Sequence, residues 1–189
     1  MDIRCFFCLP LTAKLVNEIG SWIDKNRSSR SLSGMKWVSR QNLHLTLKFC
    51  GEIPQTTLNE IKSSVKAALV SEFNTPLDLS IQELGTFGRP PRVLFAQISG
   101  QIDVLERLNS VIENTCHDAG LPLERRRFTP HLTIARLSAG RNFSLGALPQ
   151  WSFNGSKWTA DKVIFMQSRL TPYGAKYSPI DVIELKRDA

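Results

Sequence analysis

The tetrapeptide His44-Leu45-Thr46-Leu47 returns 87 residues later as His131-Leu132-Thr133-Ile134. Two of the three histidines in the chain therefore begin the same pattern of histidine, apolar residue, threonine and apolar residue. Each copy lies in a run of apolar residues that predicts a β-strand. Because side chains alternate across a strand, the histidine and threonine of each copy share one face, and the apolar residues point to the opposite face, towards a core.

The shared face carries two imidazoles and two hydroxyls. If the two strands face each other, then one small cleft is surrounded by His44, Thr46, His131 and Thr133. An imidazole titrates near neutral pH, so one histidine can start protonated while the other is neutral. A hydroxyl donates a hydrogen bond to a phosphate oxygen. The repeated pattern therefore predicts acid–base cleavage of a phosphodiester without a metal ion.

A structural role for these residues is the alternative. A lone histidine on a strand is more often a hydrogen-bonded structural residue than a catalytic one, and β-branched threonine favours strands in any case. The repetition favours catalysis, because both histidines carry the same neighbours at the same spacing. The third histidine, His117, lies in a helical pattern, and we expect it on a helix surface or at a helix end, without a chemical role.

Hydrophobic spacing predicts three amphipathic helices, over 11–27, 54–70 and 102–119. Strands are expected over 3–9, 36–38, 43–50, 77–84, 92–99, 127–137, 151–153, 162–168 and 177–185. Gly51 is expected to end the first motif strand, and 85–91 and 138–150 to form loops. This succession predicts an α+β protein with mainly antiparallel sheets, arranged as two similar lobes that each contribute one motif strand.

The net charge of +7, from 24 basic and 17 acidic residues, fits either a solvated basic surface or attraction to a polyanion such as RNA. Arg127 shares the face of His131 if the strand is regular through Pro130, and it then either binds phosphate or remains a solvated charge. For Phe49 and Phe87, we expect core packing rather than stacking on a base. The arginines that flank the second motif or a Pro-rich loop are Arg89, Arg92, Arg125, Arg126, Arg127, Arg136 and Arg141.

The four cysteines are expected to be reduced structural thiols, because Cys5 and Cys8 point to opposite faces of a strand and no second such pair exists. The sequence contains neither a Gly-rich phosphate loop nor clustered metal ligands, so we expect no cofactor and no metal. No apolar run is long enough to span a bilayer, and no signal peptide is recognisable at the N-terminus. We therefore expect a cytoplasmic protein that does not associate with a membrane, and we expect a monomer because nothing in the sequence suggests an oligomer.

Both motif segments resemble those of the two-histidine phosphoesterases, and most closely those of the RNA 2′,3′-cyclic phosphodiesterases, also called 2′-5′ RNA ligases. The first segment is Asn42-Leu43-His44-Leu45-Thr46-Leu47-Lys48-Phe49-Cys50-Gly51. The second is Arg126-Arg127-Phe128-Thr129-Pro130-His131-Leu132-Thr133-Ile134-Ala135-Arg136. The resemblance extends over nearly the whole chain, through Arg4-Cys5-Phe6-Phe7, Arg92-Val93-Leu94-Phe95 and the tail from Ser168 to Tyr177.

This resemblance implies one bilobal α+β domain over residues 1–189, in which two antiparallel-sheet lobes with outer helices flank a central cleft. The lobes need not be the N- and C-terminal halves. The implied activity is metal-free hydrolysis of an RNA 2′,3′-cyclic phosphate to a 2′-phosphomonoester, with His131 as the base, His44 as the acid, and Thr46 and Thr133 on the phosphate. The implied partner is RNA with such an end, including tRNA halves, and some members also have 2′-5′ RNA ligase activity.

Two other functions remain open from the sequence. One is a phosphodiesterase for small 2′-linked or cyclic nucleotides, which a closed pocket would favour. The other is an RNA-binding protein without catalysis, for which the basic charge would serve equally well.

Overall fold

The computed structural model describes residues 2–29, 32, 34–137, 145–172 and 174–185, and within these ranges the chain forms three α-helices and nine β-strands. The helices are α1 (Ala13–Asn26), α2 (Gln55–Glu72) and α3 (Ile102–Asp118). The strands are β1 (Asp2–Pro10), β2 (Met35–Trp37), β3 (His44–Pro54), β4 (Leu77–Phe87), β5 (Val93–Gly100), β6 (His131–Leu137), β7 (Lys157–Ala160), β8 (Lys162–Thr171) and β9 (Gly174–Glu184). None of the helices in this part of the chain combines the length and apolarity needed to cross a membrane.

All nine strands join one antiparallel sheet, whose main path runs β7-β4-β5-β6-β3-β1-β8-β9, with β2 paired to β6. The sheet has two halves, and each contributes one motif strand. The half that contains β1, β3, β8 and β9 combines both ends of the chain. The halves meet where β3 pairs with β6, so the motif strands lie side by side instead of facing each other. The predicted α+β class and antiparallel pairing are confirmed.

The hydrophobic core lies between one face of this sheet and the helices. The apolar motif residues all belong to it, since Leu45, Leu47, Leu132 and Ile134 are at most 4% exposed. Helices α2 and α3 pack against each other and against β3. Burial of each such aliphatic side chain contributes roughly 1.5–3 kcal/mol. Because this face is committed to the core, the motif histidines and threonines lie on the opposite face.

Strand β3 continues past Gly51 to Pro54, so the prediction that Gly51 ends the strand is wrong. Cys5 pairs with Gly51 and Phe6 pairs with Phe49, which leaves Cys50 as the extra residue of a β-bulge. Gly51 has a φ of 78°, a conformation that glycine adopts without steric cost. The strand therefore continues through this irregularity and does not stop there.

Two further sequence predictions are wrong at the other end of the sheet. β4 runs on through the first part of the predicted loop, because its pairing with β5 extends to Phe87. Trp151 and Phe153 are not in a strand, and the Trp151 indole N–H instead donates to the Gln82 carbonyl at 2.9 Å. The strand in this region is β7, which pairs with β4 and which the sequence pattern missed.

Strand β6 begins only at His131, so the expectation that Arg127 lies on the same regular strand is also wrong. Pro130 has no N–H to contribute to a ladder, which accounts for the late start. Arg141 and residues 138–144 of the predicted loop lie outside the described residues.

Candidate active site

The register of β3 and β6 brings the four predicted site residues together at the centre of the sheet. Leu45 lies opposite Leu132, and in an antiparallel pair this directs His44 towards Thr133 and Thr46 towards His131. All four of these side chains are half-buried. Each histidine therefore lies near the threonine of the other motif as well as its own.

His44 is held on both ring nitrogens. Its Nδ1 lies 2.7 Å from the Asn42 carbonyl oxygen, and because a carbonyl only accepts, Nδ1–H is the donor. Its Nε2 lies 3.0 Å from the Thr46 hydroxyl, which donates to it when the ring is neutral. Phe6 stacks on the imidazole with ring centroids 4.8 Å apart, and Tyr177 meets it edge-on at 5.4 Å. These contacts fix the tautomer and leave Nε2 as the reactive nitrogen.

His131 is held by the corresponding backbone contact. Its Nδ1–H donates to the Thr129 carbonyl at 2.7 Å, two residues before it, as Asn42 is two residues before His44. Phe87 and Phe95 meet the ring edge-on at centroid distances of 5.0 and 5.6 Å. Nε2 is again the nitrogen left for chemistry. The two halves of the sheet thus present two imidazoles prepared in the same way.

Burial lowers the pKa of both histidines. Desolvation lowers the pKa of His44 to about 4, against the raising effect of the Asn42 carbonyl and with a smaller lowering by the charge of His131. Desolvation also lowers the pKa of His131, where the Thr129 carbonyl opposes it and the charge of Arg136 adds to it. Both imidazoles are therefore neutral at pH 7 in the free protein. An anion bound between them favours the protonated form and raises these values.

Strand β3 contains a second β-bulge, three residues after His44. Thr46 pairs with Cys8, but Lys48 pairs with Phe7, so Leu47 is an extra residue and the alternation shifts by one position. As a result Lys48 is buried at 6% exposure, whereas Phe49 is 47% exposed and lines the cleft. The expectation that Phe49 packs in the core is therefore wrong.

Strand β6 contains the equivalent bulge, three residues after His131. Thr133 pairs with Phe95 and Ala135 pairs with Leu94, so Ile134 is the extra residue. Ile134 and Ala135 are both fully buried, and Arg136 emerges on the cleft side. Arg136 follows His131 by five residues, as Phe49 follows His44. Strict alternation, on which the sequence prediction relied, does not place either residue in the site.

Helix α3 holds the bulge of β3 in place. The Asn109 side-chain amide donates to the Leu47 carbonyl at 2.9 Å, at the extra residue itself. One helical turn later, Glu113 forms an ion pair with Lys48, whose ammonium also donates to the Pro122 carbonyl at 2.9 Å. The Lys48 and Glu113 side chains are only 6% and 13% exposed. No sequence signal distinguished these residues from ordinary solvated polar groups.

A cavity of about 650 Å³ opens beside His131 on this face of the sheet. Phe87 lines it too, stacked on Phe95 with ring centroids 4.0 Å apart and outside the hydrophobic core, so the expectation that Phe87 packs in the core is also wrong. The cavity is net basic, because its lining carries four cationic side chains, Lys48, Arg126, Arg127 and Arg136, against the two carboxylates of Glu113 and Glu124. Its lining also includes Thr46, Phe49, Phe87, Phe128, Thr129, His131 and Thr133. Arg127 reaches the cavity from the segment before β6 and forms a 3.5 Å ion pair with Glu106 while 87% exposed. The arrangement suits an anion with a planar group attached to it.

The remaining candidates lie away from the cleft. His117 is in the last turn of α3, where its Nδ1 bonds to the Leu121 carbonyl at 3.0 Å, so its expected place at a helix end is confirmed. All four cysteines are free thiols, and Cys5, Cys8 and Cys116 are buried. Within the described ranges, no three histidine, cysteine, aspartate or glutamate side chains come together as metal ligands.

Comparison with known proteins assigns the chain to a family. The family model of the 2′-5′ RNA ligase superfamily matches residues 15–171. An RNA 2′,3′-cyclic phosphodiesterase of Geobacillus stearothermophilus is 32% identical over 133 residues, which are 69% of this chain but only 41% of that protein. The chain thus spans less than half the length of this relative. An RNA 2′,3′-cyclic phosphodiesterase of Aquifex aeolicus is 27% identical over 176 residues, which are 90% of this chain and 91% of that protein.

A solved structure has the same fold. The crystal structure of Escherichia coli LigT complexed with 3′-AMP superimposes with a TM-score of 0.80 and 20% sequence identity, over 99% of this chain and 100% of that one. The family model covers more than four fifths of the sequence and includes both motifs. The chain belongs to the 2′-5′ RNA ligase superfamily.

Proposed function

We propose that this protein hydrolyses the 2′,3′-cyclic phosphodiester at the end of an RNA to a 2′-phosphomonoester, without a metal ion. The observation that carries the proposal is the pair of imidazoles on adjacent strands, each with Nδ1–H donated to a carbonyl two residues earlier. The names of the relatives from Geobacillus and Aquifex, both RNA 2′,3′-cyclic phosphodiesterases, support the choice of substrate.

In the proposed reaction the cyclic phosphate lies between the two Nε2 atoms. His131, neutral, removes a proton from the attacking water as the new P–O bond forms. His44, protonated, donates its proton to the 3′-oxygen as the P–O3′ bond breaks. Acid and base then act from opposite sides of phosphorus, as in-line displacement requires, and each contributes on the order of 10²–10⁴-fold in rate. The assignment of acid and base follows the family resemblance, because the geometry of the two histidines is nearly symmetric.

Binding of the substrate favours protonation of His44 by solvent. Burial holds the pKa of His44 at about 4 in the free protein. A bound phosphodiester carries one negative charge, and a negative charge within a few ångströms stabilises the imidazolium. The substrate therefore raises the pKa of the group that must protonate its leaving oxygen.

The non-bridging oxygens of the phosphate are assigned to the threonines and to one arginine. Thr46 and Thr133 each lie on the same face as a histidine, and their hydroxyls donate to these oxygens. Arg136, brought onto this face by the bulge at Ile134, adds a positive charge beside them. Fixed donors aimed at charge that builds up in the transition state are often the largest single contribution to catalysis.

RNA is favoured over a small nucleotide by the surroundings of the cleft. Arg126 and Arg127 are exposed where they line its rim, which suits a longer polyanion better than a closed pocket would. A phosphodiesterase for small cyclic or 2′-linked nucleotides is the second candidate, and its substrates belong in the same assay. We further propose tRNA halves as substrates, 2′-5′ ligase activity, and a cytoplasmic monomer in which residues 1–189 act as one bilobal domain; the first two follow from the family alone.

The test is an incubation of the protein with a short RNA that ends in a 2′,3′-cyclic phosphate, in excess EDTA, with identification of the product. We expect a 2′-phosphate from the wild type and from His117→Gln, which changes the histidine outside the cleft, and none from His44→Ala or His131→Ala. Absence of wild-type turnover on RNA overturns the proposal, and turnover of cyclic mononucleotides alone would establish the second candidate. A 3′-phosphate product would mean that the P–O2′ bond breaks instead of the P–O3′ bond. Loss of activity in EDTA would contradict a metal-free mechanism.

A further inference from the structure

A second cavity, of about 830 Å³, lies in the half of the sheet that contains His44. The start of β1, the end of β3, the first residue of α2 and the end of β8 form its walls, through Arg4, Glu52, Gln55, Gln167, Arg169 and Leu170. It is large enough for a nucleoside, since ligand pockets in proteins measure roughly 300–1,000 Å³. The proposed chemistry does not use it.

The part of this cavity that Arg4 and Glu52 line is on the same face of the sheet as the candidate active site. Arg4 and Phe6 are two residues apart on β1, so their side chains share a face. Phe6 stacks on His44, which places that face on the cleft side. Tyr177, which contacts Phe6 at 4.8 Å, lies within the influence of both Arg4 and Arg136, because the charges of both lower its pKa against the raising effect of burial. The cleft side of the sheet therefore continues from His44 through Phe6 to Arg4, at the wall of the second cavity.

The wall between the two cavities is a stacked pair. The guanidinium carbon of Arg4 lies 4.4 Å from the centroid of the Phe49 ring. Phe49 lines the catalytic cleft and Arg4 lines the second cavity. Arg4 Nε is buried and has no hydrogen-bond partner among the described residues, so packing on the ring holds this group in place. A planar guanidinium on an aromatic ring is a surface on which nucleobases stack.

We propose that the second cavity binds the nucleoside that precedes the terminal nucleotide of the RNA, so that the preferred substrate is an oligonucleotide. This inference rests on the proposed function. The chain of the RNA passes from the cleft over the Arg4–Phe49 stack, and the base of the penultimate nucleotide stacks beside Arg4. The terminal nucleotide occupies the cavity beside His131.

The charge of the second cavity agrees with a nucleoside rather than a free phosphate. Two arginines, Arg4 and Arg169, are balanced there by two carboxylates, Asp2 and Glu52. Carboxylates repel a bare phosphate but accept hydrogen bonds from ribose hydroxyls and base amino groups. The amides of Gln55 and Gln167 add both donors and acceptors. The cavity is therefore equipped for the neutral part of a nucleotide.

The test compares three substrates with the same 2′,3′-cyclic end: a mononucleotide, a dinucleotide and a trinucleotide. For the wild type we expect kcat/KM to rise on the order of tenfold from mononucleotide to dinucleotide, the size of one base stack, and little further for the trinucleotide. Arg4→Gln and Arg4→Lys remove the planar cation. In both variants the ratio of kcat/KM for the dinucleotide to kcat/KM for the mononucleotide should be close to one. The matched control is Arg107→Gln, because Arg107 also stacks on a ring, that of Phe73 at 5.3 Å, but on α3 outside both cavities.

A dinucleotide without its penultimate base tests the same point on the wild-type protein, so the result does not depend on how well an Arg4 variant folds. We expect the abasic dinucleotide to react like the mononucleotide. Equal kcat/KM for mononucleotide and dinucleotide in the wild type overturns this inference and leaves the proposed function intact. A dinucleotide advantage that survives in Arg4→Gln or in the abasic substrate also overturns it. No turnover of any of the three substrates overturns the proposed function itself.

Discussion

Leu45 on β3 lies directly opposite Leu132 on β6, and this pair joins the two halves of the sheet. Each leucine occupies the position after its histidine, so the two motifs are related by a local two-fold axis at the pair. Both side chains are only 1% exposed and belong to the core. A slip of one residue in this register would turn the histidine and threonine of one motif into the core. The burial of two leucines therefore sets the geometry of the two histidines.

Truncation of a leucine of this pair should lower the free energy of unfolding. Leu132→Ala removes a fully buried side chain at the join, and we expect the free energy of unfolding to fall by about 2–5 kcal/mol, from lost burial and the cavity left behind. Leu170→Ala, at a leucine that is 69% exposed, is the matched control and should change it by about 0.5 kcal/mol or less. Urea denaturation measures both. A loss for Leu132→Ala no larger than the control would contradict the packing described at the join.

The threonine hydroxyls should matter for rate and not for folding. Thr46→Val and Thr133→Val keep the β-branched shape but remove the donor, so we expect kcat to fall on the order of 10²–10³-fold with a melting temperature close to that of the wild type. Thr159→Val is the control, because Thr159 is a strand threonine whose hydroxyl donates to Asp78 on the far edge of the sheet. Unchanged kcat in both motif variants would remove the threonines from the mechanism.

The buried ion pair of Lys48 and Glu113 should show strong coupling. Lys48→Met leaves the Glu113 carboxylate buried without its cation, and we expect a loss of about 3–5 kcal/mol in the free energy of unfolding. The double variant Lys48→Met with Glu113→Leu should recover much of that loss, because no uncompensated charge remains. Denaturation of both single variants and the double variant completes the cycle.

The exposed pair of Arg107 and Glu72 provides the comparison, since such pairs contribute about 0–1 kcal/mol. Additive effects at Lys48 and Glu113 would mean that the two side chains do not act as a pair.

The pH optimum of kcat/KM should lie on the acidic side of neutrality. kcat/KM reports the ionisation of free enzyme, in which the pKa of His44 is lowered to about 4 and that of His131 is also lowered. The fraction with His44 protonated falls as the pH rises, so we expect kcat/KM to be highest below pH 6.5, the ordinary pKa of histidine. kcat reports the complex, where bound phosphate raises the pKa of His44, and its optimum should lie at higher pH. A kcat/KM optimum above neutrality would contradict these assignments.

The same shift has a consequence for stability that does not depend on activity. Between pH 6.5 and about 4 the unfolded chain binds a proton at this histidine that the folded chain does not bind. The free energy of unfolding should therefore fall as the pH is lowered through this window. His44→Asn should flatten that dependence, which urea denaturation across the same pH range measures.

The sequence by itself determined the two motifs and the strands that carry them. It also determined that the threonine of each motif shares a face with its histidine and that the apolar motif residues lie on the opposite face. Period-two alternation over four residues was enough to place Leu45, Leu47, Leu132 and Ile134 in the core, and helical spacing was enough to find α1, α2 and α3. These features depend on local geometry, which a short window of sequence carries.

Tertiary structure alone decided what lies beyond that window. Strict alternation exposes Lys48 and places Phe49 in the core, but the bulge at Leu47 buries Lys48 and exposes Phe49, and the bulge at Ile134 brings Arg136 to the cleft side. Whether a strand bulges depends on which groups of neighbouring strands and helices bond to its backbone and pack on its side chains. The Asn109 amide, which donates to the Leu47 carbonyl, is such a group. The adjacency of β3 and β6 likewise arises from pairing between residues 87 positions apart, which no local pattern specifies.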